Sequence, residues 1–66
     1  MNSDILKGKW KQFKGRVTEE WGKLTNDDVD RINGEFEQLS GIIQERYGYD
    51  KEEAEKKIED FVNRCS

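Results

Sequence analysis

Residues 8–22 read GKWKQFKGRVTEEWG and residues 34–48 read GEFEQLSGIIQERYG, so the chain contains an internal repeat with an offset of 26 residues. The identical pairs are Gly8/Gly34, Gln12/Gln38, Gly15/Gly41, Glu19/Glu45 and Gly22/Gly48. The matching apolar pairs are Trp10/Phe36, Phe13/Leu39, Val17/Ile43 and Trp21/Tyr47. Nine matches in fifteen aligned positions are more than chance would give, and they indicate a duplicated structural unit.

The residues after each copy also correspond, once one position is skipped, and they predict the start of a second helix in each half. These segments are residues 24–29, LTNDDV, and residues 49–54, YDKEEA. Thr25 and Asp50 are good N-caps, and each has an acidic residue three positions later, as in a capping box. Gly22 and Gly48 stand where the preceding helix should end, as residues in the left-handed conformation. Each half therefore predicts an αα-hairpin.

Apolar side chains recur at helical spacing along the chain, which predicts an all-α fold. The first stripe is Leu6, Trp10, Phe13, Val17 and Trp21, the second is Val29, Ile32, Phe36, Leu39, Ile43 and Tyr47, and the third is Ala54, Ile58, Phe61, Val62 and Cys65. The predicted helices span residues 4–21, 26–33, 35–47 and 51–64. A length of 66 residues suits one domain, so we expect a small four-helix bundle over residues 1–66, with repeat copies at about 8–33 and 34–64.

The boundary between the second and third predicted helices is ambiguous. The second stripe runs without interruption through Asn33 and Gly34, so these two helices could form one nearly continuous rod. An Asn-Gly pair is a helix breaker, and the duplication also favours a break at this point. We prefer the interpretation with four helices and keep the continuous rod as the alternative.

The composition excludes most catalytic and metal-binding chemistry. The chain has no His and a single Cys, so imidazole catalysis, Cys/His zinc sites and a disulfide framework are excluded. Carboxylates are abundant, but four short helices around a thin core provide no apolar pocket that could shift a carboxylate pKa for catalysis. Their spacing does not match an EF-hand calcium loop either. We therefore predict a protein that is not an enzyme and has no catalytic residue, cofactor or metal site.

The sequence also indicates a cellular location. No apolar run approaches the ~20 residues that a membrane span needs, and no secretory signal segment is recognisable. The single Cys65 has no partner for an intramolecular disulfide, which suits a reducing compartment. We expect a cytoplasmic protein.

Charge is distributed unevenly along the chain. Residues 1–18 have a side-chain net charge of +4 and the remaining residues have −7, which together give the −3 of the whole chain. The basic side chains in the first segment are Lys7, Lys9, Lys11, Lys14 and Arg16. They are a candidate surface for nucleic acid or for an anionic membrane. The alternative is that they are solvated or pair with carboxylates of the same chain, and the acidic pI of about 4.9 does not suit a dedicated DNA-binding protein.

Four glycines of the repeat, Gly8, Gly15, Gly34 and Gly41, fall roughly opposite the apolar stripes. Inside a helix a glycine costs about 1 kcal/mol relative to alanine, so a loosely ordered domain is expected. These glycines are either tolerated on a solvated face or form a smooth surface that a partner's backbone can approach.

The repeat resembles the CsbD-like family of small bacterial proteins. The motifs that carry the resemblance are GKWKQ at 8–12, WGKLT at 21–25 and QERYGY at 44–49, and the likeness extends from about residue 7 to residue 61. The resemblance implies a bacterial cytoplasmic protein associated with general stress, and a bundle of two crossed α-hairpins related in shape to SAM-type domains. It implies no catalytic residues. Ser40 and Ile42 stand where family members are expected to be more polar, so an exposed Ile42 would mark a contact surface.

Three functions are compatible with these patterns. The leading hypothesis is a non-enzymatic stress-response protein that acts by binding or by bulk protection. The first alternative is a weak nucleic-acid or anionic-surface binding module that uses the basic first helix. The second alternative is a helical adaptor for an unidentified protein partner. A monomer is expected, and nucleic acid is not the favoured partner.

Overall fold

Five α-helices make up the part of the chain that the computed structural model describes, residues 2–65. They are α1 (Asn2–Gly8), α2 (Trp10–Glu20), α3 (Asn26–Ile32), α4 (Phe36–Tyr47) and α5 (Lys51–Cys65). No β-strand occurs between residues 2 and 65, so the all-α prediction is confirmed. None of the helices in this range is long and apolar enough to cross a membrane.

The first predicted helix is interrupted at Lys9, so the prediction of a single helix over residues 4–21, and with it the count of four helices, is wrong. Lys9 has φ −115° and ψ 25° and begins α2 without a side-chain capping bond. Glu35, 26 residues later, begins α4 from extended backbone with φ −84° and ψ 120°, also without a side-chain capping bond. We name the bend at Lys9 the first elbow and the bend at residues 33–35 the second elbow. Because the two elbows occupy equivalent repeat positions, the duplication already contained the signal for the first one.

The second elbow separates α3 from α4, so the alternative of a nearly continuous rod is wrong. Asn33, with φ 45°, and Gly34, with φ 82°, both have left-handed backbone. Gly34 is also buried, and a Cβ atom on it would lie 3.0 Å from the Lys7 Cα and 3.2 Å from the Trp10 Cβ. Glycine is required here both by the φ angle and by the close approach of the first elbow.

The N-caps predicted from the repeat are confirmed. The Thr25 Oγ1 accepts a hydrogen bond from the Asp28 N–H at 3.1 Å, and the Asp28 carboxylate accepts one from the Thr25 N–H at 3.0 Å. These two bonds complete the capping box at the start of α3. At the start of α5, the Asp50 carboxylate accepts a hydrogen bond from the Glu53 N–H at 2.8 Å. The turns before α3 and α5 are therefore closed by local polar contacts.

The C-terminal ends of α2 and α4 differ, although their sequences correspond. Gly48 ends α4 with φ 74°, and its N–H donates to the Gln44 carbonyl at 2.9 Å, so the left-handed stop predicted there is confirmed. Trp21 ends α2 with φ −121° instead, and its N–H donates to the Val17 carbonyl at 2.9 Å. Gly22 does not have a positive φ, so the left-handed conformation predicted for it is wrong.

The core lies between the five helices, and the predicted apolar stripes face it. The buried apolar residues are Leu6, Phe13, Val17, Trp21, Leu24, Val29, Ile32, Leu39, Ile42, Ile43, Ala54, Ile58, Phe61 and Val62. Four members of the predicted stripes, Trp10, Phe36, Tyr47 and Cys65, are only half-buried and pack against the edge of this core. Helix α5 packs against α1 and α4, while α3 packs against α2 and α4.

Ile42 and Ser40 are both buried, at 9% and 3% exposure, although polar positions were expected there. Ile42 belongs to the core, and the Ser40 Oγ accepts a hydrogen bond from the Gln44 Nε2 at 3.0 Å. Because α4 packs against α1, α3 and α5, its buried face is wider than the single stripe read from the sequence. An exposed contact surface at Ile42 is therefore excluded.

Candidate anion-binding surface

The five predicted basic residues lie on α1, at the first elbow and on α2, and all of them are exposed. We name this set the basic surface; it consists of Lys7, Lys9, Lys11, Lys14 and Arg16. The structure brings Lys11 and Lys14 together at one cleft. It places Lys7 apart from them, because Lys7 forms an ion pair with Glu35 at the second elbow.

Two members of the basic surface are paired with carboxylates of the same chain. Lys7 pairs with Glu35, and the Lys14 Nζ lies 3.9 Å from the Asp30 Oδ1. All four side chains are at least half exposed, and such pairs contribute little to stability in water. Among residues 2–65, the other three members have no carboxylate within 4.0 Å; these are Lys9, Lys11 and Arg16. Intramolecular pairing therefore accounts for part of the basic surface only.

An open cleft of about 540 Å³ lies between α2 and α3. Its lining residues are Lys11, Lys14, Gly15, Thr18, Asn26, Val29 and Asp30. An added Cβ at Gly15 would meet nothing within 4 Å, so the cleft is shallow and unobstructed at this point. Two ammonium groups suit a phosphate-like group, while the Asp30 carboxylate opposes one and the Thr18 hydroxyl already donates to the Lys14 carbonyl at 3.2 Å. The arrangement can hold an anion loosely, and its affinity should fall steeply as salt rises.

An ion cluster around the buried Asp28, which the sequence did not predict, joins α3 to α4. Asp28 is 1% exposed, and its carboxylate accepts hydrogen bonds from Arg46 Nε at 3.2 Å and Arg46 Nη2 at 3.0 Å. Arg31 Nη2 donates to the same carboxylate at 3.0 Å, in addition to the capping bond from Thr25. The only sequence signal was local: an acidic residue in the first turn of α3 and a basic residue in the last turn of α4.

These contacts decide the protonation of Asp28. The Arg46 guanidinium holds the pKa of the Asp28 carboxyl well below its usual range, the Thr25 N–H and Arg31 act in the same direction, and burial opposes them. Asp28 in turn raises the pKa of Arg46. A carboxylate that stays ionised and whose oxygens already accept four hydrogen bonds is unsuited to act as a general acid or base near neutral pH.

A second unpredicted cluster consists of two stacked tyrosines and two lysines where α4 turns into α5. The Tyr47 and Tyr49 rings lie 5.6 Å apart and are nearly parallel, at 8°. Lys23 Nζ is 5.0 Å from the Tyr47 ring and Lys57 Nζ is 5.1 Å from the Tyr49 ring, within cation–π range. The Lys23 N–H also donates to the Tyr47 hydroxyl at 3.1 Å. This cluster ties the turn after α2 to the turn after α4.

A smaller cleft of about 280 Å³ lies beside the tyrosine pair. Its charged residues balance one another, because Glu20 and Asp60 carry carboxylates while Lys57 and Arg64 are basic. Arg64 Nη2 donates to Glu20 Oε2 at 3.0 Å, and Glu20 raises the pKa of Arg64. Within the described part of the chain, no group of three or more His, Cys, Asp and Glu side chains is placed to hold a metal ion.

Comparisons with known proteins agree with the resemblance seen in the repeat. A CsbD-like family model matches residues 4–56. The UPF0337 protein YjbJ of Escherichia coli (strain K12) is 58% identical over 64 residues, covering 97% of this chain and 93% of that protein. The UPF0337 protein PA4738 of Pseudomonas aeruginosa is 53% identical over 64 residues, covering 97% of this chain and 98% of that protein. The UPF0337 protein ECA0631 of Pectobacterium atrosepticum is 60% identical over 58 residues, covering 88% and 84%.

Proposed function

The chain belongs to the CsbD-like family, and we propose that it is a non-enzymatic stress-response protein of the cytoplasm that acts by binding or by protection. The family resemblance supports a role in stress, and the composition, with 41% charged residues, supports a protein that works through its surface. The proposed functional unit is one domain over residues 1–66, with repeat copies at about 8–33 and 34–64. The two crossed hairpins of SAM-type shape, the adaptor role and the monomeric state stay predictions from the sequence.

The observation that carries the non-enzymatic proposal is the state of Asp28. It is the carboxylate that burial sets apart from the exposed acidic residues, so it would be the first candidate for acid–base chemistry. Its oxygens are occupied by Arg46, Arg31 and Thr25, and its pKa is lowered rather than raised. The cluster therefore supports a structural role, and it leaves surface binding or protection as the activity to test.

A protective mechanism follows from the low intrinsic stability of the helices that contain glycine. An added Cβ would meet nothing within 4 Å at three glycines of the repeat, which are Gly8, Gly15 and Gly41. Gly15 and Gly41 lie inside α2 and α4, where each lowers intrinsic helix stability by about 1 kcal/mol relative to alanine, while Gly8 is the last residue of α1. Osmolytes that are excluded from protein surfaces favour the compact state, so such a domain should tighten when they accumulate.

The test compares helicity and melting temperature in buffer and in concentrated sucrose. We expect both to rise clearly for the natural chain. The variant with Gly8→Ala, Gly15→Ala and Gly41→Ala is the matched control, because its helices are intrinsically more stable and should respond less. A cooperative melt of the natural chain that is no more sensitive to sucrose than that of ordinary small domains would contradict the protective mechanism.

A second candidate function, binding of nucleic acid or of an anionic surface, is supported by the uncompensated part of the basic surface. Lys9, Lys11 and Arg16 project into solvent without a carboxylate within 4.0 Å among residues 2–65, and Lys11 also lines the large cleft. Phosphate contacts of this kind are largely independent of base sequence and weaken linearly on a log–log scale as salt is added.

The test titrates a short DNA duplex at low salt and follows amide NMR shifts. Lys9→Gln with Lys11→Gln should remove a salt-dependent affinity, whereas Lys51→Gln with Lys56→Gln removes the same charge from exposed positions on α5 and should have a smaller effect. Equal losses in the two double variants, or no binding by the natural chain, would contradict nucleic-acid binding. In that case the search for a partner moves to proteins and membranes.

A further inference from the structure

The sequence pattern and the backbone disagree at the second elbow. The apolar residues Val29, Ile32, Phe36, Leu39 and Ile43 are spaced 3, 4, 3 and 4 apart, which is the spacing of one straight amphipathic helix. The chain nevertheless bends between Ile32 and Phe36. The bend requires left-handed backbone at two consecutive residues, Asn33 and Gly34, which glycine adopts freely and asparagine tolerates better than most other residues.

The second elbow also divides the molecule into two parts. We name α1–α3 the arm and α4–α5 the hairpin. The arm packs on the hairpin through aromatic contacts, with the Phe13 and Phe61 rings 5.8 Å apart and the Trp21 and Phe61 rings 5.0 Å apart.

Polar contacts join the same two parts. Arg46 of the hairpin donates to Asp28 of the arm, and Arg64 of the hairpin donates to Glu20 of the arm. All of these contacts, aromatic and polar, join residues on opposite sides of the elbow. They would therefore be equally satisfied by an arm from one molecule and a hairpin from another.

We propose that a second copy of this chain is a binding partner, through exchange of arms about the second elbow. In the exchanged dimer, α3 and α4 join into one helix over residues 26–47, and each arm packs on the hairpin of the other copy. The straight helix recovers regular backbone at Asn33 and Gly34. It gives up the contact of Gly34 with the first elbow and the ion pair between Lys7 and Glu35.

Two substitutions at the elbow should shift the balance in opposite directions. Gly34→Ala adds a Cβ at φ 82° that would lie 3.0 Å from the Lys7 Cα, so it penalises the bent form, while alanine suits the straight helix. Asn33→Gly removes the small cost that asparagine retains in left-handed backbone and weakens the straight helix, so it favours the bent monomer. Gly41→Ala, in the middle of α4 with open space around it, is the control.

The experiment refolds each protein at millimolar concentration and measures mass by size-exclusion chromatography with light scattering. The natural chain should give a monomer with a minor dimer that persists on dilution, because exchange requires unpacking of the arm. Gly34→Ala should raise the dimer association constant by roughly thirtyfold or more, since each dimer relieves two elbows. Asn33→Gly should lower the dimer fraction, and Gly41→Ala should leave it unchanged.

Amide NMR of the isolated dimer distinguishes arm exchange from association of two intact monomers. Arm exchange preserves the packing contacts away from the second elbow and loses those of Gly34 and Glu35 with the first elbow, so shifts should change only at residues 32–36 and beside them at Lys7 and Trp10. Shift changes spread over an exposed helix face would overturn the proposal. So would the absence of a dimer from the natural chain after refolding at millimolar concentration, and this measurement decides the question even if Gly34→Ala does not fold.

Discussion

Arg46 donates from two guanidinium nitrogens to the two carboxylate oxygens of Asp28, at 3.2 and 3.0 Å, and so joins the last turn of α4 to the first turn of α3. The same carboxylate caps α3 by accepting from the Thr25 N–H. Each charged group also lies at the helix end whose dipole favours its sign. A single buried carboxylate therefore secures both the start of α3 and its packing on α4.

Asp28→Asn should destabilise the protein strongly. The amide keeps the approximate shape but loses the negative charge, and its NH2 group cannot accept the hydrogen bonds that the buried carboxylate accepts from Arg46, Arg31 and the Thr25 N–H. Glu20→Gln is the control, because it removes a carboxylate from the Glu20–Arg64 pair, in which Glu20 is 35% and Arg64 60% exposed. Thermal melts should show a much larger loss for Asp28→Asn than for Glu20→Gln. Similar losses for the two variants would show that the Asp28 cluster contributes no more than an exposed pair.

Stability should fall in acid because of the same residue. The pKa of Asp28 is lower in the folded chain than the ordinary aspartate value of about 3.9, so its contribution is fully present above about pH 4 and is lost progressively as pH falls below that. Urea unfolding at a series of pH values between neutral and strongly acidic measures the effect. The free energy of unfolding of Asp28→Asn should fall less in acid than that of the natural chain. If the free energy of unfolding of this variant falls in acid as much as that of the natural chain, the acid sensitivity comes from other carboxylates.

Alanine substitutions at two glycines should change the free energy of unfolding in opposite directions. Gly48→Ala should destabilise by about 1–2 kcal/mol, because its φ of 74° is left-handed. Gly15→Ala should stabilise by about 0.5–1 kcal/mol, because Gly15 lies inside α2 with nothing within 4 Å of an added Cβ. Urea midpoints of both variants check the pair. A loss at Gly15 would show that the helix needs a glycine at this position for a reason other than packing.

Removing the hydroxyl of Tyr47 should reduce stability, whereas removing that of Tyr49, the tyrosine stacked on it, should not. Tyr47→Phe should cost about 0.5–1.5 kcal/mol, because the Tyr47 hydroxyl accepts from the Lys23 N–H at 3.1 Å. Tyr49→Phe keeps the ring stacking and removes a hydroxyl that has no hydrogen bond within residues 2–65, so it should be nearly neutral. Thermal melts and the amide exchange rate of Lys23 measure the difference. Equal effects on both quantities would mean that the Lys23 bond is not formed in solution.

Ile42→Ala should cost about 2–4 kcal/mol, since Ile42 is a core residue at 9% exposure. Ile5→Ala provides a comparison at a partly buried position on the edge of the same core, and it should cost less. Urea unfolding with a constant slope would show that both variants remain two-state. If Ile42→Ala is neutral, α4 does not bury the wide face described above.

Much of the local structure could be predicted from the sequence because its causes are local. The capping box of Thr25 and the left-handed stop at Gly48 depend on atoms only a few residues away. Apolar spacing likewise predicts which face of a helix is buried, and Phe13 and Ile58 are buried as expected. The candidate basic surface could be identified in the same way, because a cluster of lysines along one segment is visible in the sequence.

The tertiary structure alone decided which of those lysines are compensated and where the helices bend. Lys7 pairs with Glu35, which is 28 residues away in the sequence, and Arg46 pairs with Asp28, which is 18 residues away. No local sequence pattern predicts contacts between residues so far apart. Gly34 and Gly8 are equivalent in the repeat, yet Gly34 alone of the two has a positive φ and has the first elbow packed directly against it. By itself, the sequence determined that the chain is helical, where the N-caps Thr25 and Asp50 lie, and which apolar stripes face the core, since these depend on propensity and spacing. The tertiary structure decided how the backbone of the two repeat copies differs, because each copy packs against different neighbours.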